Sequence, residues 1–127
     1  MKEIIATLKA PQAIGPYSQG IKISCSNLVF CSGQVALDPE TKQVVGKTAA
    51  EQCRQVIKNL GEILKAGGAG YENVVKTTVY LSDIGDFKAV NEVYAEFFDR
   101  QPPARATVQV ARLPLDVKVE IDAIAVV

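Results

Sequence analysis

Two stretches near the C-terminus carry a period of two. In 104–110, Ala106, Val108 and Val110 alternate with Arg105, Thr107 and Gln109. In 117–123, Val119, Ile121 and Ala123 alternate with Lys118, Glu120 and Asp122. Both read as strands with one apolar and one polar face. The link 111–116 is short enough for an antiparallel turnback, and such pairing predicts Ala106, Val108 and Val110 on the core side. It also makes Arg105 and Glu120 candidates for one site. Arg offers a planar fork of donors for a carboxylate, and Glu offers a base. The same two residues read equally as an ordinary cross-strand ion pair. Pro102 and Pro103 restrict the backbone just before this strand.

Upstream, 2–8 reads as an edge strand, 21–24 as a short strand, and 28–36 as a strand interrupted by Gly33. A glycine inside a strand marks a bulge or a close backbone approach. Between the first two strands, 10–20 holds two prolines and two glycines, a specified loop whose aromatic residue is Tyr17. Tyr17 either lines a pocket or lids the core. Asp38-Pro39-Glu40-Thr41 is a turn. Thr48-Ala49-Ala50-Glu51 is a capping box that opens a helix to about residue 65. Its apolar stripe is Cys53, Val56, Ile57, Leu60 and Leu64, and Gly67, Gly68 and Gly70 end it. Residues 73–81 form the next strand. Ser82 or Asp83 then caps a second helix with the stripe Phe87, Val90, Tyr94, Phe97 and Phe98. Asn91 shares helical spacing with Phe87 and Tyr94, which predicts partial burial.

The order of strands and helices predicts one α/β domain, residues 1–127: a mixed sheet with two helices on one face. The other sheet face is predicted to carry Thr78, Tyr80, Thr107, Gln109, Glu120 and Asp122 among apolar neighbours such as Ile124. That mixture suits a subunit interface and predicts an oligomer.

Composition narrows the function. The chain has 127 residues, enough for one domain with a core of its own. Fourteen Lys plus Arg balance fourteen Asp plus Glu, which disfavours a nucleic-acid backbone binder. No apolar run is long enough to span a membrane. The first seven residues lack a signal-peptide core and carry an early acid, so a cytoplasmic protein is expected; a mitochondrial form with its presequence removed would look the same. Histidine is absent, which removes Ser-His-Asp and Cys-His arrangements and His-based zinc sites. Proton transfer then falls to carboxylates, Tyr, Lys, a thiol, water or the substrate. Cys25, Cys31 and Cys53 all sit in apolar patterns, and buried free thiols behave as small hydrophobes. Cys31 as a nucleophile would need an exposed electropositive setting. The glycines at 61, 67, 68 and 70 form no phosphate-binding fingerprint.

Several motifs together are similar to one known family. The loop 10–19, the strand signature Ser32-Gly33-Gln34, the helix 91–98, and the segments Pro103-Ala104-Arg105, 110–114 and 119–126 resemble those of the reactive intermediate deaminases, the RidA/YjgF family. The resemblance covers nearly the whole chain. It implies a chorismate mutase-like α/β fold, a homotrimer with inter-subunit active sites, and no cofactor. It also implies hydrolysis of enamines and imines (2-aminoacrylate, 2-iminopropanoate and 2-iminobutanoate) to 2-keto acids and ammonia. Such imines come from pyridoxal-phosphate dehydratases, an indirect metabolic link. By the same resemblance Arg105 clamps the substrate carboxylate, Glu120 positions or activates water, and Tyr17 lines the cleft. Ser32, Asn91 and Thr107 take substrate-binding positions. Many relatives have Cys where this chain has Thr107, so no thiol at that position is required here. The alternatives are a non-catalytic small-carboxylate binding module and an RNA-directed ribonuclease or translation inhibitor. Turnover separates the first from the deaminase, and salt-sensitive RNA cleavage marks the second.

Overall fold

A computed structural model describes residues 2–24 and 27–127. Cys25, expected in an apolar, buried setting, lies outside the described residues. Strands β1 (Lys2–Ile5) and β2 (Gly20–Ile23) form an antiparallel pair of their own. Strands β3 (Leu28–Gln34), β4 (Val74–Leu81), β5 (Ala104–Gln109) and β6 (Val119–Val126) form a mixed sheet in the order β3-β6-β4-β5. Helices α1 (Ala49–Ala66) and α2 (Phe87–Phe97) pack against each other, and α1 lies over β6 and β3. The core between helices and sheet includes Val56, Ile57, Leu60 and Leu64 of α1, Val79 and Leu81 of β4, Tyr94 of α2, and Val119, Ile121 and Ala123 of β6.

Local chemistry explains the helices. The Thr48 hydroxyl accepts from Glu51 N at 3.2 Å, and Glu51 accepts in return from Thr48 N at 3.4 Å. The five residues of the predicted α1 stripe are all buried. Each large aliphatic side chain so removed from water contributes roughly 1.5–3 kcal/mol. Gly67 and Gly68 follow the last turn, and Gly68 adopts φ +80°. The turn at 38–41 is held by Asp38 Oδ1, which accepts from Glu40 N at 2.8 Å and Thr41 N at 2.9 Å. Asp83 caps a short 3-10 turn, Ile84–Asp86, rather than α2 itself, which begins at Phe87. The first strand ends at Ile5, before residue 8, and β3 ends at Gln34, before residue 36.

The expected turnback is not formed. β5 pairs in parallel with β4, and β6 lies on the far side of β4, between β4 and β3. A parallel pair needs a crossover, and α2 supplies it between β4 and β5. Segment 110–118 then carries the chain around the end of β4. Val110 N donates to Leu81 O at 2.9 Å, and Ser82 N donates to Lys118 O at 3.1 Å. Leu113 and Val117 of this segment are buried, while Leu115 is exposed.

This topology reverses the facing of β5. Arg105 is in register with the buried Thr77, and Thr107 with the buried Val79, so both point to the helix side. Gln109 lies opposite Leu81, and its Oε1 accepts from Ile84 N at 2.8 Å. Ala106 and Val108 therefore occupy the uncovered face, where Thr107 and Gln109 were expected. Thr78, Tyr80, Glu120, Asp122 and Ile124 do lie on that face, by register with one another. So does Phe30, which is 69% exposed and pairs with Ile124.

Candidate functional site

Arg105 enters the site because the loop before β2 docks on the start of β5. Ser18 N donates to Pro103 O at 3.1 Å, the Ser18 hydroxyl donates to Pro102 O, and Ser18 bridges to Ala104. Gln19 fastens the same loop: Thr7 N donates to its Oε1 at 2.7 Å, and its Nε2 donates to Pro11 O at 2.5 Å. Gly15 adopts φ +119° and passes beside Arg105, Asn91 and Tyr17, a left-handed conformation that favours glycine. Tyr17 is thereby brought against Arg105 from the loop side.

Helix α2 supplies the remaining walls. Arg105 Nη1 donates to Asn91 Oδ1 at 2.6 Å. The guanidinium carbon lies 4.9 Å from the Tyr94 ring centroid, 5.5 Å from Tyr17 and 5.6 Å from Phe87. Rings at such distances attract a cation through their quadrupole. Phe87, Asn91 and Tyr94 lie four and three residues apart, on one helix face. Sequence reasoning placed Phe87 and Tyr94 in the apolar stripe and missed their contact with Arg105; their shared face with Asn91 was the available signal.

Burial draws the Arg105 pKa down from the usual arginine value. The group nonetheless stays cationic at neutral pH. Among the described residues no carboxylate pairs with it; the ion pairs there are Arg54–Glu96 and Arg112–Asp116, both exposed. Only one of its donors has a protein acceptor among those residues. The site thus presents a half-buried cation with free, planar donors. Thr107, two residues on and facing the same way, has a buried hydroxyl with no hydrogen-bond partner.

The other predicted site residues lie elsewhere. Glu120 is half-buried on the uncovered sheet face, in register with Tyr80. Its carboxyl group occupies the space a side chain at Gly33 would take. Ser32 is exposed on β3, at the opposite edge of the sheet from β5. Three strand spacings of about 4.8 Å put those edges roughly 14 Å apart. The chain therefore brings together Arg105, Asn91, Tyr17 and Thr107 as one group, and away from it places Glu120 against Gly33, with Ser32 next to Gly33 on β3. The cross-strand Arg105–Glu120 pair is absent because β4 separates the strands and the side chains leave opposite faces. Among the described residues no group of three or more His, Cys, Asp or Glu side chains converges as a metal site.

The model of the family described as Endoribonuclease L-PSP matches residues 7–127. The chain belongs to this family, the RidA/YjgF proteins. It is 56% identical over 124 residues to Reactive Intermediate Deaminase A, chloroplastic, of Arabidopsis thaliana, covering 98% of this chain and 65% of that relative. It is 52% identical over 126 residues to 2-iminobutanoate/2-iminopropanoate deaminase of Mus musculus, covering 99% of this chain and 92% of the relative. The crystal structure of E. coli TdcF with bound serine superposes with a TM-score of 0.75 at 44% identity, over 98% of both chains. The α/β architecture with a mixed sheet and two helices is the YjgF fold. None of the described helices is long and apolar enough to cross a membrane.

Proposed function

We propose that this protein hydrolyses small reactive 2-imino acids and their enamine tautomers, such as 2-aminoacrylate, 2-iminopropanoate and 2-iminobutanoate. The products are 2-keto acids and ammonia. The observation that carries the reading is Arg105: a half-buried guanidinium without a counter-ion among the described residues, walled by three rings, with donors free for a carboxylate. Arg binds a carboxylate bidentately, fixing its plane as well as its charge. The names of the Arabidopsis and mouse relatives agree with this chemistry.

The reaction makes modest demands. The imine carbon is already electrophilic, and an enamine reaches it by protonation at carbon. Water adds across the C=N bond to give a carbinolamine, both of its hydrogens pass in turn to nitrogen, and the C–N bond breaks as the C=O bond forms, so that ammonia leaves. A carboxylate can orient and deprotonate the water, and Glu120 is the proposed base. Tyr17 closes the cleft beside the substrate. Asn91 holds one guanidinium nitrogen, and Thr107 lies beside the clamp. No cofactor takes part in the proposed steps.

Since Arg105 and Glu120 leave opposite faces of one sheet, the proposed site needs residues from two protomers. A homotrimer closed head to tail would bring one protomer's β3 edge, with Ser32, Gly33 and Glu120, to another's β5 edge, with Arg105. The exposed apolar residues Leu28, Phe30 and Val108 on the uncovered face support such an assembly, since large exposed apolar patches mark interfaces. A cytoplasmic setting beside pyridoxal-phosphate dehydratases belongs to the same proposal. The balanced charge weighs against RNA as the main substrate, although the family's description names an endoribonuclease.

The test generates 2-aminoacrylate with a serine or threonine dehydratase and follows keto-acid and ammonia release. Faster release with this protein is expected. Release at the solvent rate, together with tight 2-oxobutanoate binding, would make the protein a carboxylate-binding module instead.

A further inference from the structure

We propose that Tyr94 and Thr77 act as a positioning pair that sets the orientation of the Arg105 guanidinium, an inference that rests on Arg105 as the carboxylate clamp. Tyr94 is fully buried on α2, with its ring centroid nearest to the guanidinium among the three rings. Its hydroxyl and the Thr77 hydroxyl lie 2.7 Å apart in a hydrogen bond. Thr77 is fully buried on β4, and it is the residue that stands opposite Arg105 in the β4–β5 ladder. The Tyr94 ring also packs against Phe98, with centroids 4.5 Å apart. The ring therefore cannot slide or rotate without breaking a buried contact.

These contacts close a cycle. The β4–β5 ladder ties Arg105 to Thr77, the hydroxyl bond ties Thr77 to Tyr94, and the Tyr94 ring lies against the Arg105 guanidinium. Asn91, three residues before Tyr94, holds Nη1. One nitrogen and one face of the guanidinium are thus fixed from the same helix, and that helix is pinned to the strand beside Arg105. A flexible arginine loses rotamer freedom when it grips a ligand. A guanidinium already oriented binds more tightly for the same contacts. Burial pushes the Tyr94 hydroxyl up to about 12, so it stays protonated and keeps its hydrogen bond across the working range.

A buried Tyr–Thr bond with a purely packing role would affect stability alone. The pair Thr77→Val with Tyr94→Phe separates the two roles. Removing both hydroxyls leaves no unpaired buried polar atom, so stability should stay near the parent's. Calorimetric binding of 2-oxobutanoate should nonetheless weaken about 3- to 10-fold, the range expected for a lost orienting contact. In the imine assay KM should rise by a similar factor, with kcat within about twofold. Thr77→Ser, which keeps the hydroxyl, should bind as the parent does. Should the double variant fail to fold, Tyr94→Phe alone carries the same expectation, because the ring stays against Arg105 and only the small Thr77 hydroxyl loses its partner. Arg105→Ala is measured beside them. If it loses binding while the hydroxyl-free variant binds within twofold of the parent, the positioning role is overturned and the clamp stands. If Arg105→Ala itself binds like the parent, both fall.

Discussion

Within one protomer, Arg105 on β5 and Glu120 on β6 leave opposite faces of the sheet, with β4 between their strands. Arg105 turns toward α2 and its rings. Glu120 turns toward the uncovered face and rests over Gly33. A reaction that uses both must recruit them from different copies, which makes assembly and catalysis one question.

The clamp is tested first. Arg105→Ala should abolish measurable 2-oxobutanoate binding in calorimetry and most turnover. Arg105→Lys should restore only a small part, because an ammonium supplies charge without the planar fork. Parent-like affinity in Arg105→Ala would put the carboxylate pocket elsewhere.

Glu120→Gln keeps shape and an acceptor oxygen but loses basicity. Turnover should fall by about 10²-fold while 2-oxobutanoate binding persists. Gly33→Ala should produce a related defect from the neighbouring strand. The new methyl group would occupy the space of the Glu120 carboxyl and push it aside. Misplacing a catalytic base by about 1 Å costs on the order of 10- to 100-fold in rate. Full activity in Gly33→Ala would show that Glu120 can work from another position.

Assembly is tested at Phe30, which is 69% exposed on the uncovered face. Light scattering should give the parent the mass of a trimer. Phe30→Glu should dissociate it, since a charge buried in an apolar interface is strongly unfavourable. Imine hydrolysis should fall at least about 10-fold with dissociation if the site is shared between copies. A folded, fully active monomer would refute the shared site.

The thiols should be dispensable. Cys31 and Cys53 are buried, and burial raises both thiol pKa values, that of Cys53 to about 12. They are protonated and unreactive near neutral pH. Alkylation with iodoacetamide at pH 7.5 should leave the folded protein's turnover intact, and a folded variant lacking all three cysteines should remain active. Loss of turnover in that variant, with fold and solution mass unchanged from the parent's, would give a thiol a chemical role.

Alkaline stability follows from the same burial. Cys53 is raised from 9.0 and Tyr94 from 10.0, both to about 12, with desolvation the leading cause. In the folded state both groups hold their protons where the unfolded chain has released them. Their contribution is therefore complete below pH 9 and is lost as pH rises from about 9 to 12. Melting temperature should fall across that window, and Tyr94→Phe should flatten the fall above pH 10. A melting temperature level from pH 9 to 12 would contradict the buried, protonated state of both groups.

Local pattern was enough for much of the fold. The capping box and the 3.6-residue stripe set α1, and alternation located the strands of the sheet, because each depends on neighbours within a few residues. The candidates Arg105, Glu120, Tyr17, Asn91, Ser32 and Thr107 were also visible, through a full-length likeness to the RidA/YjgF family. Strand partnership was not. Segments 104–110 and 117–123 are joined by a short link, yet α2 carries β5 into a parallel pair with β4, and β6 inserts between β4 and β3. That choice depends on contacts remote in sequence, and it turned Arg105 and Thr107 toward the helices. Alternation says which residues share a face, but only tertiary packing decides which face is buried. The rings around Arg105 and the Thr77–Tyr94 bond were equally hidden, because three elements must meet before any of those contacts exists.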